Sequence, residues 1–222
     1  MARPVGTSAD LTDSPQHDVR GRWVWSGVSC GVIRGTMFAI DSVRTIYQGW
    51  LNLVMVRLRA PDGTAFDRHV IELGRAVVVL PYNPDTGKAL AVSMPRAPVT
   101  LLGLPDMLEP IAGKLDSNDP EECARREAME EAGVRLGTLE HIGCIWPMPS
   151  NATERLDYFL AAYTDADRIA AGGGLAEENE NITVHEIALA ELWSRYESNR
   201  LPDGKLVTML LALRVRRPDL FG

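Results

Sequence analysis

Several things are scarce in this chain of 222 residues. It has 3 cysteines, Cys30, Cys123 and Cys144, and no Cys-x-x-Cys spacing. That leaves no zinc-binding pattern, and an odd, sparse set fits a reducing compartment better than a disulfide framework. No apolar run approaches the ~18–20 residues needed to span a bilayer. The longest, Leu206–Leu213, contains Thr208 and leads into Arg214, Arg216 and Arg217. The first residues lack the apolar core of a secretory signal, so a cytoplasmic protein with no membrane partner is expected. Positive charge is short as well. Lys+Arg is 23 against Asp+Glu at 30, a net charge of −7. Such a chain is a poor general binder of nucleic-acid backbones. To handle a phosphorylated ligand it needs local cations or a metal. No internal repeat is visible.

What is present is ordinary globular material. Hydrophobic residues are 45% and charged residues 24%, close to the average for folded domains. The length suits one domain, or one domain with a small appendage. Residues 1–20 are polar and aperiodic and read as a flexible tail. From Trp23 to Val70 the signals are those of β structure. Ile46 to Val54 does not alternate strictly, while Leu51, Leu53, Met55, Arg57 and Arg59 fall on one face. Pro61-Asp62-Gly63 marks a turn between strands at 50–60 and 65–72. Ala76–Pro81 reads as a strand buried on both faces. Asn83–Gly87 turns the chain and Ala89–Ser93 returns. Further strands are expected at 141–146, 155–163 and 182–187, with helices at about 188–199 and 205–217. Interleaved strands and helices predict an α/β (α+β) fold, a mixed sheet sandwiched between helices.

One helix has well-marked ends. Asp119 is placed to be its N-cap, Pro120 its first residue and Glu122 the capping-box partner. Gly133 should end it in a left-handed conformation. On it lie Arg126, Glu127, Glu130 and Glu131. The three glutamates share one helical face at i, i+3 and i+4. Like charges there destabilise a bare helix by ~0.2–0.5 kcal/mol per pair. A hard divalent cation, with its preference for carboxylate oxygens, reverses that sign. The plain alternative is a solvated acidic face.

Gly113-Lys114-Leu115-Asp116, followed by Arg126-Glu127-Ala128-Met129-Glu130-Glu131-Ala132-Gly133-Val134, resembles the signature box of the Nudix hydrolases. The match departs at Asp119, where the family has glutamate, and at Ala128, usually larger. Glu109-Pro110-Ile111-Ala112-Gly113 is similar to the segment entering the box in the ADP-ribose pyrophosphatase group. The shortened box, Gly172–Gly174 and Asp203-Gly204-Lys205 look like its GDP-mannose hydrolase branch. The resemblance spans about Arg44 to Leu213. It implies a Nudix fold over 67–222, with a small N-terminal β subdomain at 21–66 that builds a homodimer.

The resemblance also implies Mg²⁺-dependent (or Mn²⁺-dependent) cleavage of a nucleoside diphosphate sugar into a nucleoside monophosphate and a sugar phosphate. By match, Ala112 (through its carbonyl), Glu127, Glu130, Glu131 and Glu180 hold metal. Glu178, with Glu131 and Arg126, serves the chemistry, Glu178 taking the proton of the attacking water. Arg96, Glu109 and Lys205 meet substrate. Lys114 and the isolated His69, His141 and His185 read as exposed or structural. Trp23, Trp25, Tyr47 and Trp50 suit an interface better than base stacking. Two other readings compete. One is a Nudix-fold module that binds a nucleotide without turnover, which the intact helix glutamates disfavour. The other is hydrolysis of capped nucleic-acid ends, which would want a basic channel.

Overall fold

Val77, Val78, Val79 and Leu80 are all fully buried, because the strand that carries them is covered on both faces. In the computed structural model this strand is β6 of eleven: β1 Gln16–His17, β2 Trp23–Val24, β3 Ala39–Gln48, β4 Asn52–Arg59, β5 Ala65–Glu72, β6 Arg75–Asn83, β7 Lys88–Ser93, β8 Ile111–Lys114, β9 Glu140–Ile145, β10 Arg155–Ala162 and β11 Thr183–Ala188. Among the described residues four α-helices are interspersed: α1 Ala97–Leu101, α2 Pro120–Ala132, α3 Leu189–Glu197 and α4 Gly204–Arg216. The structure describes residues 37–116, 118–174 and 181–221, with the backbone of β1 and β2. The expected tail at 1–20, apart from β1, together with Trp25 and Cys30, lies outside the described residues.

The central sheet has six strands in the order β11-β7-β6-β10-β9, with β8 paired to the first half of β6. The β6–β10 pair is parallel and the others are antiparallel, so the sheet is mixed as expected. Alternation on β6 sorts the core into two layers. Val77 and Val79 join Cys123, Ala124, Ala128 and Ala132 of α2. Val78, Leu80 and Tyr82 join Leu189, Leu192, Leu206, Met209, Leu210 and Leu213 of α3 and α4. Each such aliphatic side chain, fully buried, contributes about 1.5–3 kcal/mol. On α2 the buried residues are small, and Ala124, Ala128 and Ala132 form a stripe at i, i+4 and i+8. The stripe seats the helix closely on the sheet and accounts for alanine at position 128.

β3, β4 and β5 form a separate three-stranded antiparallel sheet. The chain reverses between Gln48 and Asn52, so Ile46 to Val54 spans two strands, and the strand expected at 50–60 runs from Asn52 to Arg59. The broken alternation there is a hairpin turn, closed by the Gly49 N–H donating to the Leu51 carbonyl at 3.0 Å. Ile71 and Thr153 tie this sheet to the larger one through backbone bonds Ile71 N–H to Asn151 O (2.7 Å) and Thr153 N–H to Ile71 O (3.0 Å).

Candidate active site

Asp119, Pro120 and Gly133 bound the helix α2 as the sequence indicates. The Asp119 carboxylate accepts from the backbone N–H groups of Glu121 and Glu122, at 3.0 and 3.1 Å. Pro120 opens the helix and Gly133 closes it at φ 63°. These ends fix the rotation of the helix against β8, and that rotation places Glu127 directly over Gly113. A Cβ on Gly113 would overlap the Glu127 carboxyl group. Glycine is therefore required here by close approach, since the backbone of β8 and the carboxylate share the space.

Arg126 gathers the acidic groups around it. Its guanidinium lies 2.9 Å from Glu127 Oε1, 3.0 Å from Glu130 Oε2 and 3.3 Å from Asp116 Oδ1. Burial works against the charge of Arg126, but Glu127, Cys123, Glu130 and Asp116 outweigh it and hold the guanidinium protonated. The neighbouring Cys123 thiol is pushed up to about 11, by burial first and then by Glu127. It stays a thiol at neutral pH and is no nucleophile. Glu131 is 2% exposed, a carboxylate sunk beside the sheet. A buried carboxylate is costly unless it is paired or coordinates a cation.

The last turn of α2 also receives a second segment. Gly173 N–H donates to Glu131 O at 2.9 Å and Gly174 N–H to Glu130 O at 3.1 Å. Gly172 has φ 72°, and a Cβ there would overlap the Glu131 carbonyl. The triple glycine thus docks the chain against the carbonyls of the glutamates themselves. Glu178 and Glu180, which follow it, lie outside the described residues.

Arg96, Glu109 and Lys205, far apart in sequence, meet in one cluster. Arg96 donates through Nε and Nη2 to the two Glu109 oxygens at 2.8 and 3.0 Å. Lys205 Nζ reaches Glu109 at 3.1 Å and Asp203 at 2.9 Å. Burial alone would raise the Glu109 carboxyl, but Arg96 and Lys205 overcome it and hold Glu109 below the usual carboxylate range. Burial likewise opposes charge on Lys205, and Asp203 and Glu109 override it upward. Glu109 is itself buried behind the two cations, whereas Arg96 is 41% exposed. Ala112 lies in β8, two residues beyond Pro110, paired with Val78.

Among the described residues, no three His, Cys, Asp or Glu side chains gather closely enough to hold a metal ion alone. The donor chemistry still suits a hard cation. Glu127 is wedged against a glycine that leaves its oxygens room, Glu131 is nearly buried, and substrate oxygens and water complete such a shell for Mg²⁺.

A family model described as the NUDIX domain matches residues 72–205. The chain belongs to that family. The matched span contains α2, β8 and the whole Arg96–Glu109–Lys205 cluster. Among relatives of the Nudix chain, the GDP-mannose pyrophosphatase of Enterobacter sp. (strain 638) is 33% identical over 150 residues, 67% of this chain and 78% of that protein. The GDP-mannose pyrophosphatase of Cronobacter sakazakii is 34% identical over 151 residues, with the same coverage. A solved structure described as an ADP compounds hydrolase superposes with a TM-score of 0.67 at 18% identity, over 82% of this chain and 95% of that one. It confirms the mixed sheet between helices as the Nudix fold.

Two groupings escaped the sequence. Asp157, buried, accepts from Arg75 at 2.7 Å and pairs with His141 at 3.3 Å. A cavity of about 490 Å³ opens between the end of β9, the start of β10 and the first turn of α4, lined by Trp146, Glu154, Tyr158 and Lys205 among others. Both draw on strands that only tertiary pairing brings together. The sole sequence signal was polar residues, Glu154, Arg155 and Asp157, at the head of an apolar strand.

Proposed function

We propose that this chain is a divalent-metal-dependent hydrolase of nucleoside diphosphate sugars, of ADP-ribose or GDP-mannose type. It cleaves the pyrophosphate bond to release a nucleoside monophosphate and a sugar phosphate. The observation that carries this reading is the fitted pair of α2 and β8, with Glu127 over Gly113, Arg126 bridging Glu127 and Glu130, and Glu131 sunk beside them. The relatives named as GDP-mannose pyrophosphatases support the substrate class.

In this reading Glu127, Glu130 and Glu131, the Ala112 carbonyl and Glu180 hold Mg²⁺, or Mn²⁺ in its place. When bound, the metal neutralises phosphate charge and lowers the pKa of water. The protein's own groups do the rest. Arg126 holds the glutamates in place and keeps their charges apart. Glu178 accepts the proton of the attacking water, as the phosphorus–oxygen bridge breaks towards the leaving phosphate. The docking of Gly173 and Gly174 on the Glu130 and Glu131 carbonyls supports a place for Glu178 and Glu180 beside this helix. Glu109 acts through Arg96 and Lys205, presenting both cations to the substrate. Residues 21–66 serve as the dimerisation unit of a cytoplasmic homodimer. Among the described residues no helix is long and apolar enough to cross a membrane.

The test is a panel of nucleotide sugars, dinucleoside polyphosphates and capped RNA with Mg²⁺. Nucleotide sugars should give the highest kcat/KM, since each added phosphate meets a repulsive field. Glu131→Gln should lower turnover by two or more orders of magnitude, each decade being about 1.4 kcal/mol of barrier. A polyphosphate as best substrate, or near-normal turnover in that variant, overturns the reading.

A further inference from the structure

The three carboxylates around Arg126 differ in where they stand. Arg126 Nη2 lies 2.9 Å from Glu127 Oε1 and 3.3 Å from Asp116 Oδ1, and Nη1 donates to Glu130 Oε2 at 3.0 Å. The side chain of Glu127 is 13% exposed, that of Glu130 26% and that of Asp116 68%. The guanidinium therefore has two partners on its inner side and one towards solvent. The inner two ride on α2 with Arg126 itself. Asp116 comes from the connection between β8 and α2, and its neighbour anchors it there. Leu115 N–H donates to Arg75 O at 2.9 Å, and the Leu115 side chain packs on the core. Asp119, on the same connection, has a different task. Its carboxylate accepts from backbone N–H groups at the start of α2.

We propose that Asp116 is a positioning residue of the metal site, the partner that keeps Arg126 in place once Glu127 and Glu130 turn to a divalent cation. This rests on the metal-dependent reading above and deepens it. Without metal, burial opposes the charge of Arg126, and Glu127 and Glu130 do more than Asp116 to restore it. A carboxylate drawn to a dication has less charge left for a guanidinium, and Arg126 faces that dication as a like charge. Were the inner pair its sole support, Arg126 would compete with the metal for both glutamates. A carboxylate on the solvent side relieves that competition, because it draws the guanidinium outward and stays with it. An exposed ion pair of this kind adds little to stability. Its effect lies in where it leaves Arg126, and so in how freely Glu127 and Glu130 can take a metal.

The experiment measures Mn²⁺ binding by electron paramagnetic resonance without substrate, and kcat against Mg²⁺ concentration. The proteins are the wild type, Asp116→Asn, Asp116→Glu and Asp119→Asn. Asp116→Asn should weaken Mn²⁺ binding by about fivefold, the scale of an exposed ion pair. The Mg²⁺ concentration for half-maximal turnover should rise by the same factor, while kcat at saturating Mg²⁺ and the metal-free melting temperature barely move. Asp116→Glu, which restores the charge, should recover most of the affinity. Asp119→Asn removes a charge from the same connection but keeps a good N-cap, and should leave Mn²⁺ binding unchanged. A bystander effect of charge would appear in both asparagine variants. In an Arg126→Gln background Asp116→Asn should add nothing, because its effect passes through the guanidinium. No loss in Asp116→Asn, an equal loss in Asp119→Asn, or an undiminished loss in the Arg126→Gln background overturns the assignment. If Arg126→Gln binds no Mn²⁺, the comparison of Asp116→Asn, Asp116→Glu and Asp119→Asn decides alone. A wild type that cleaves nucleotide sugars, with Asp116→Asn indistinguishable from it, removes the role of Asp116 and leaves the hydrolase reading. A wild type that binds Mn²⁺ with the expected dependence on Asp116, yet cleaves no nucleotide sugar, does the reverse.

Discussion

Gly113 shows how much of the site depends on one absent side chain. A Cβ there must displace the Glu127 carboxyl, and with it the bond to Arg126. Gly113→Ala should thus reduce kcat by at least tenfold while the melting temperature moves little, because the displaced group is a flexible side chain at the surface of the core. Unchanged turnover would show that the close approach is incidental. Asp157 makes the opposite point, a charged residue whose weight falls on stability. Burial alone would raise its pKa, but the His141 hydrogen bond and Arg75 prevail and depress it. A carboxylate with a depressed folded pKa stabilises fully above its unfolded value of ~3.9 and loses that contribution as pH falls through the folded value. Asp157→Asn breaks a largely buried pair and should cost on the order of 3 kcal/mol at neutral pH. Its melting temperature should then fall less steeply than the wild type's as pH drops from about 5 to 3. Parallel curves in thermal melts across that range would place the acid sensitivity elsewhere.

At the scale of elements, the joint between α2 and the triple-glycine segment couples two parts of the proposed site. Gly172→Ala meets both a positive φ and the backbone of Glu131 and Ala132, where nothing can yield cheaply. The segment should detach from the helix end, and the proposed role of Glu178, which follows that segment in sequence, requires activity to fall by at least tenfold. A fully active variant with wild-type metal affinity would uncouple the two. The sequence was most legible for such elements. Asp119, Pro120 and Gly133 are terminators with local chemistry, and the apolar run of β6 is long enough to declare burial on both faces. β8 was not seen, since four residues containing Gly113 carry no period and belong to the sheet only through pairing with β6. The short α1 buries no residue and leaves no pattern. Glu127 and Arg126 were legible because they sit together on one helix. The Trp146–Glu154–Tyr158–Lys205 cavity was not, because it is assembled from a strand end, a strand start and a helix start that only the fold unites.

Among the described residues, the whole molecule presents one surface that is unusually apolar. β3 is an edge strand of the three-stranded sheet, and all ten of its residues are exposed. Ile40 is 62% exposed and Trp50, in the turn beyond it, 97%; Phe38, Val43, Ile46 and Tyr47 add to the same apolar run. A three-stranded sheet has too little inner face to be stable by itself, and a long hydrophobic edge invites pairing with another chain. A second copy of this chain satisfies both demands at once, since a two-fold axis sets the same strand against itself. The expectation is a homodimer at micromolar concentration, burying at least the ~1,200 Å² of a stable interface. Ile40→Lys with Tyr47→Lys should yield monomers in sedimentation equilibrium, because a lysine at a strand edge blocks pairing without touching the central core. If that monomer keeps full kcat/KM, the dimer stabilises the fold and contributes nothing to the site. If the wild type itself sediments as a monomer with full activity, the N-terminal sheet is no dimer interface, and its apolar strand must be covered from within the chain.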